Sequence, residues 1–117
     1  MKRLLGVLLV SSLPFVMTAT VPAQAAHPAS AVAKKGKVKI VNFAFKPGVL
    51  NIKKGMTVVW KNTTTSTTHT SSSDTGVWDS GFISPGMTFK FKFTSDGTFT
   101  YHCNVHPTMK GSIVVTG

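Results

Sequence analysis

The sequence contains a single cysteine, no glutamate and no convincing amphipathic helix pattern, and each absence narrows the possible structures. One cysteine excludes an intramolecular disulfide, so Cys103 must have another role. The lack of helical periodicity argues against a helical domain. Because only three acidic residues oppose 13 basic ones, the formal net charge is +10.

The N-terminal residues have the pattern of a secretory signal peptide. Lys2 and Arg3 precede the apolar residues 4–10, and Ala23-Gln24-Ala25 matches a small-x-small cleavage site. An uncleaved membrane anchor is the alternative, but a proline and several Ser and Thr residues interrupt the apolar stretch. No cysteine near the cleavage site could carry a lipid. We therefore expect removal of residues 1–25 and export to the periplasm, cell envelope or extracellular space, without stable membrane insertion.

The remaining chain divides into a flexible leader, residues 26–36, and one small domain, residues 37–117. It carries eleven lysines and three aspartates, a net charge near +8. Export and the lack of an aromatic-basic array argue against a nucleic-acid partner. The lysines suit either a well-solvated surface or docking to an acidic protein, and composition leaves both open.

Apolar residues in the predicted domain recur with the period of two that is typical of strands. The clearest case is residues 88–94, where phenylalanine occupies every second position and lysines lie between. Val38, Ile40, Val49, Ile52, Val58 and Trp60 mark further strand positions. Turn signals recur at Pro47-Gly48, Lys54-Gly55, Asp74-Thr75-Gly76, Pro85-Gly86 and Asp96-Gly97. The pattern predicts an all-β fold, an antiparallel sandwich or barrel with Greek-key connections.

Side chains that can bind a metal are concentrated in the segment that contains Cys103. Residues 97–103 and 112–115 read as strands joined by a tight loop. Alternation directs Cys103 inward and His102 outward to solvent. His106 and Met109 follow at the spacings Cys-x2-His and His-x2-Met, so one loop can place three side chains around one centre.

Thiolate, imidazole and thioether together form a soft ligand set that favours copper over zinc. A type 1 copper site needs a second histidine. Since His102 faces outward and His27 lies in the leader, His69 remains, within the Ser/Thr-rich residues 63–73. Each of these residues alone has an ordinary structural explanation, but their joint spacing predicts one copper ion.

These residues and several flanking segments resemble the cupredoxins, and within them the plastocyanin and amicyanin group. The matching segments are residues 43–47, 52–55, 58–62, 79–86 and 97–103, together with His106-Pro107 and 109–111. The short loop between Cys103 and Met109 looks most like that of amicyanin. The resemblance implies a Greek-key β-sandwich with copper ligation by His69, Cys103, His106 and Met109.

The sequence departs from the family at two positions beside the ligands. Family members usually have Asn after the first ligand histidine and Ser or Thr after the cysteine, joined by a hydrogen bond. Here Thr70 follows His69, and Asn104 follows Cys103. Our hypothesis is that the two side chains form the same link with their roles exchanged and so restrain the ligands.

Four protein ligands leave no open position for a substrate, so we expect an electron carrier and not an enzyme. The predicted protein is a small, soluble, monomeric type 1 copper protein that shuttles single electrons by Cu(I)/Cu(II) cycling. We expect His106 to be partly exposed beside Val105 and Pro107, with Phe82 or Pro85 nearby, and Lys110 to favour an acidic redox partner. His102 could provide a second route for the electron.

Two other functions remain compatible with these residues. A periplasmic protein that binds, buffers or delivers copper would need the same ligands without transferring electrons. Alternatively, cleavage after Ala26 would expose His27 as an N-terminal copper ligand, as in certain copper oxidases.

Overall fold

The structure is a computed structural model that describes Pro14 and residues 31–117. Apart from Pro14, the predicted signal peptide lies outside the described residues, as do residues 26–30 of the leader and therefore His27. The described chain forms eight strands: β1 (Gly36–Val41), β2 (Ala44–Lys46), β3 (Val49–Lys53), β4 (Thr57–Asn62), β5 (Ser72–Ser73), β6 (Thr88–Lys92), β7 (Gly97–His102) and β8 (Lys110–Thr116). Within this part no helix is long and apolar enough to cross a membrane.

The strands form two four-stranded sheets packed as a sandwich, which confirms the predicted fold class. One sheet has the order β2-β1-β4-β6, and the other has the order β3-β8-β7-β5. The expected antiparallel pairing holds for the other strand pairs, but β1 pairs with β4 and β3 pairs with β8 in parallel. Between β2 and β4 the chain crosses to the other sheet, where it forms β3. It then returns to the first sheet as β4, which lies beside β1 and runs in the same direction.

The core lies between the sheets and is built from alternating side chains. Trp60 and Tyr101 are fully buried and lie edge-on, with ring centroids 5.6 Å apart. Trp78, from the segment after β5, packs against Trp60 at 5.6 Å. Val49 was expected at an apolar strand position, but its side chain is 51% exposed. The neighbouring Leu50 and the next alternate residue, Ile52, take the inward positions instead.

The residues just before β1 are in contact with the sandwich. β1 begins at Gly36, one residue before the expected start. The main-chain N–H of Ala33 donates to the Asn51 carbonyl oxygen at 2.7 Å. The Ala33 side chain packs on the core. The last residues of the predicted leader therefore contact the sandwich.

Candidate metal centre

His69 lies in the Ser/Thr-rich segment between β4 and β5, which is ordered by hydrogen bonds. The buried Asn62 side chain donates to the carbonyl oxygens of Thr67 and Ile83, both at 2.8 Å. Its oxygen accepts from the Thr64 hydroxyl at 2.7 Å. His69 itself exchanges two main-chain hydrogen bonds with Ile83. The tract that resembles a linker thus fixes a fully buried histidine.

The fold brings His69, Cys103 and His106 together. Their ligand atoms all lie within 4.8 Å of one another. The Cys103 Sγ atom is 3.8 Å from Nδ1 of His69 and 3.9 Å from Nδ1 of His106. Two imidazole nitrogens and a sulfur at this spacing fit one copper ion, because this donor set suits copper chemically.

Met109 lies at the far end of the same loop. Its side chain is buried, and its carbonyl oxygen accepts the Cys103 N–H at 3.1 Å. Its own N–H donates to the His106 carbonyl oxygen at 2.9 Å. The main chain of Met109 therefore links both neighbouring candidate ligands, and its role as a ligand stays a prediction.

The surroundings of His69 favour the neutral ring that binds a metal. Burial, and then the positive charge of the nearby His106, lower the pKa of His69. Its Nε2 atom lies 3.4 Å from the Asn42 Oδ1 atom, which leaves Nδ1 directed at the cluster. A neutral histidine requires no proton release from the ring when a metal binds.

The two segments that carry the candidate ligands are joined by hydrogen bonds, although not through a direct bond between the expected pair of side chains. The Thr70 N–H donates to Cys103 Sγ at 3.3 Å, and the Thr70 hydroxyl accepts from the Asn104 main-chain N–H at 2.8 Å. The Asn104 side chain instead donates to Ser72 Oγ at 2.9 Å. The expected direct hydrogen bond between the Thr70 and Asn104 side chains is therefore replaced by an indirect one, because both side chains bond to Ser72 Oγ, which lies 3.0 Å from the Thr70 hydroxyl. The Ser72 hydroxyl extends the network to Asp79 at 3.1 Å.

His102 lies outside the cluster, on the other face of β7 as predicted. Its Nδ1 atom pairs with Asp74 Oδ1, and its Nε2 atom lies 2.8 Å from Asn104 Oδ1. The Thr100 side chain and His102 lower the pKa of Asp74. The sequence did not reveal the pair with Asp74, because 28 residues separate the partners.

His106 is half-buried and borders an apolar surface. Phe43 lies edge-on to its ring, with centroids 4.9 Å apart, and is itself 62% exposed. Phe82 is 80% exposed and Val105 is 45% exposed. Phe43 was missed as a neighbour of the site, since only the fold carries the turn between β1 and β2 to the cluster.

The comparisons with known proteins agree with this geometry. Residues 10–115 match the family model described as a cupredoxin-like domain, so the chain belongs to the cupredoxin-like proteins. It is similar to amicyanin-alpha of Methylorubrum extorquens, with 34% identity over 68% of this chain and 70% of the relative. It is also similar to amicyanin of Paracoccus denitrificans, with 31% identity over 83% of this chain and 78% of the relative.

Comparison with solved structures also finds similarity to amicyanin. The fold matches a reduced Cu(I) form of an amicyanin variant with a TM-score of 0.65 and 28% identity, covering 75% of this chain and 88% of that chain. The protein is thus an amicyanin-like cupredoxin whose His, Cys, His cluster could hold one copper ion.

Proposed function

We propose that this protein is an electron carrier that holds one type 1 copper ion with His69, Cys103, His106 and Met109. Bound copper would accept and release single electrons. The observation that carries the proposal is the convergence of two Nδ1 atoms and one sulfur within 4.8 Å. The sandwich holds the segments that carry these residues between β4 and β5 and between β7 and β8, which limits their movement when the charge of the centre changes.

The chain's own residues supply the remaining requirements. The Thr70 N–H stabilises negative charge on the Cys103 sulfur, to which it donates at 3.3 Å. Burial of His69 and Cys103 excludes water from that side. His106 is the ligand nearest the surface, and four protein ligands leave no position for a substrate. These features favour a carrier over an enzyme.

The apolar surface around His106 is the proposed docking patch for redox partners. It comprises Phe43, which contacts the His106 ring, and Val105 and Pro107, which flank His106 in the chain, and all three are exposed. The exposed Phe82 precedes Ile83, the partner of His69, and we assign it to the same patch. Lys110 begins β8 at the end of the same loop, and the protein as a whole is strongly basic. We infer that partners present an acidic docking face, that the carrier acts as a monomer, and that it works after export to the periplasm or cell envelope.

The deciding experiment is a visible absorption spectrum of the protein loaded with Cu(II). We expect an intense thiolate-to-copper band toward the red, reversible bleaching on reduction, and loss of the band in Cys103→Ser. His102→Ala is the matched control, because it changes the adjacent residue outside the cluster and should keep the band. A colourless protein whose Cu(I) exchanges readily with chelators would instead favour copper buffering or delivery.

A further inference from the structure

The outer face of the sheet β2-β1-β4-β6 carries a regular array of lysines. In one row across the sheet, Lys39 lies directly opposite Lys46 on one side and Lys61 on the other. In the next row Val59 lies between Lys37 and Lys90. Lys92 follows in the third row, opposite Thr57. We call these six exposed lysines, Lys37, Lys39, Lys46, Lys61, Lys90 and Lys92, the lysine face.

The lysine face has no acidic residue to balance it. The chain contains only three, Asp74, Asp79 and Asp96, and none lies in a strand of this sheet. Asp74 pairs with His102, Asp79 accepts from Ser72, and Asp96 lies 4.0 Å from Lys54. Because strands lie about 4.8 Å apart, lysines that oppose each other across the sheet repel and destabilise it. The array therefore needs an explanation other than folding stability.

Protection of sheet edges explains only part of the array. Lysines on edge strands prevent pairing with other chains, which accounts for Lys46 on β2 and for Lys90 and Lys92 on β6. β1 and β4 are central strands, however, and their edges are already paired. Edge protection gives no reason for the three lysines on these strands.

We propose that the lysine face docks on an anionic phospholipid surface. Specific protein interfaces are poor in lysine and depend on buried aromatic or arginine anchors. This face has no arginine, and among the described residues no exposed large hydrophobic side chain lies in its rows. A planar anionic lipid surface needs no anchor, since each lysine near it adds attraction.

A groove on the same face suits a lipid phosphate. It has a volume of about 320 Å³ and is lined by Lys37, Lys39 and Lys61 with Val38, Val59 and Thr88. Half-buried Val59 lies at the centre of the rows, between Lys37 and Lys90. The groove therefore has three lysines in its lining together with two valines. Docking through it leaves the protein on the membrane surface without insertion.

The test is co-sedimentation of the exported, metal-free protein with lipid vesicles, which does not depend on copper binding. We expect binding to phosphatidylcholine vesicles that contain about 30 mol % phosphatidylglycerol, none to pure phosphatidylcholine, and release by salt. The variant Lys37→Gln, Lys39→Gln, Lys61→Gln should bind on the order of 100-fold more weakly, at roughly fivefold per lysine. Lys39→Gln alone should bind about fivefold more weakly.

The matched control is the variant Lys34→Gln, Lys53→Gln, Lys54→Gln, which removes the same charge outside this sheet and should lose much less binding. Both variants have the same N-terminal residues, so any contribution of those residues to lipid binding is the same in the two. Equal losses in the two variants would overturn the proposal in favour of net charge alone. Binding to pure phosphatidylcholine would overturn it too. Displacement by millimolar inorganic phosphate would assign the groove to free phosphate, and equal affinity for soluble polyglutamate would assign the face to an acidic protein.

Discussion

Thr70 is the residue through which the two candidate ligand segments are joined. Its N–H donates to Cys103 Sγ, and its hydroxyl oxygen accepts the Asn104 N–H at 2.8 Å. The side chain is buried, so loss of the hydroxyl leaves a donor without its partner. The hydroxyl, and not the Asn104 side chain, is therefore the critical group of this network.

We expect Thr70→Val to lower the free energy of unfolding of the metal-free protein by about 1–3 kcal/mol. It should also shift the reduction potential of the copper-loaded protein, because the hydroxyl no longer fixes the position of the Thr70 N–H that donates to Cys103 Sγ. Asn104→Ala keeps the main-chain N–H and should have a smaller effect on both. Thr70→Ser is the control that retains the hydroxyl. A larger effect of Asn104→Ala than of Thr70→Val in denaturation and voltammetry would contradict this.

Asp74 predicts a dependence of stability on acid pH. Hydrogen bonds from the Thr100 side chain and from His102 lower its pKa below the ordinary value of 3.8. A carboxyl with a lower pKa in the folded state stabilises the protein fully above 3.8, and this stabilisation is lost as the pH falls through the folded pKa. In the variant Asp74→Asn, the free energy of unfolding should therefore decrease less as the pH falls below 3.8. Urea denaturation at a series of acid pH values measures this.

The control for this prediction is Asp96→Asn, which removes the same charge from the turn before β7. Asp96 lies 4.0 Å from the exposed Lys54, a surface pair of little energetic value. An equal change of this pH dependence in both variants would show that overall charge, and not the contacts of Asp74, causes the effect.

At the level of single residues, spacing predicted the cluster but not its surroundings. Cys103, His106 and Met109 lie in one loop, so their proximity follows from the sequence. His69 was found by elimination of the other histidines and is close to Cys103 although 34 residues separate them. Asn42 and Phe43 could not be predicted, because nothing local indicates that their turn reaches His69 and His106.

Among the elements, β7 and β8 determine the shape of the loop that carries Cys103, His106 and Met109. Tyr101 on β7 lies directly opposite Gly111 on β8, two residues from Cys103 and Met109 respectively. A Cβ atom at position 111 would lie 2.5 Å from Cζ of the Tyr101 ring and 2.6 Å from its hydroxyl oxygen. The buried ring cannot move away, so glycine is required for this close pairing.

Gly111→Ala should therefore lower the free energy of unfolding by about 1–3 kcal/mol through overpacking. It should also alter the visible spectrum of the copper-loaded protein, since the strands that hold the loop are pushed apart. The control is Gly48→Ala, whose Cβ would meet its nearest atom at 3.9 Å. That substitution should be neutral or slightly stabilising. Similar losses in the two variants by chemical denaturation would refute the steric argument.

Strand positions were largely predictable, whereas strand partners were not. Period-two alternation located the strands, and Gly and Pro located the turns between them. The parallel pairs β1–β4 and β3–β8 depend on where the chain changes sheets, which alternation does not encode. The outward orientation of Val49 was missed for a different reason: Val49 and Leu50 are both apolar, so alternation does not show which of them faces the core.

For the whole molecule, the uneven charge predicts stabilisation by salt. Raising ionic strength from about 0.01 M to 0.1 M shortens the Debye length from about 30 Å to about 10 Å and screens the lysine face. The thermal midpoint of the metal-free protein should rise accordingly. Lys39→Gln should stabilise the protein by about 0.2–1 kcal/mol at low salt, because two lysines oppose Lys39, and the gain should fade with salt.

Lys53→Gln on β3 is the matched control and should change stability less. A midpoint that falls with sodium chloride, or equal gains in the two variants, would contradict a repulsive lysine face.

The contact between Trp60 and Trp78 has an optical consequence. These are the only tryptophans in the chain, and their rings are 5.6 Å apart with an interplanar angle of 34°. Trp60 belongs to β4, whereas Trp78 lies in the segment that leads away from β5 of the opposite sheet. Two indoles at this distance couple electronically and give a circular dichroism signal that neither would give alone. That signal exists only while the two sheets are docked, so light absorption by the protein itself reports closure of the sandwich without any added label.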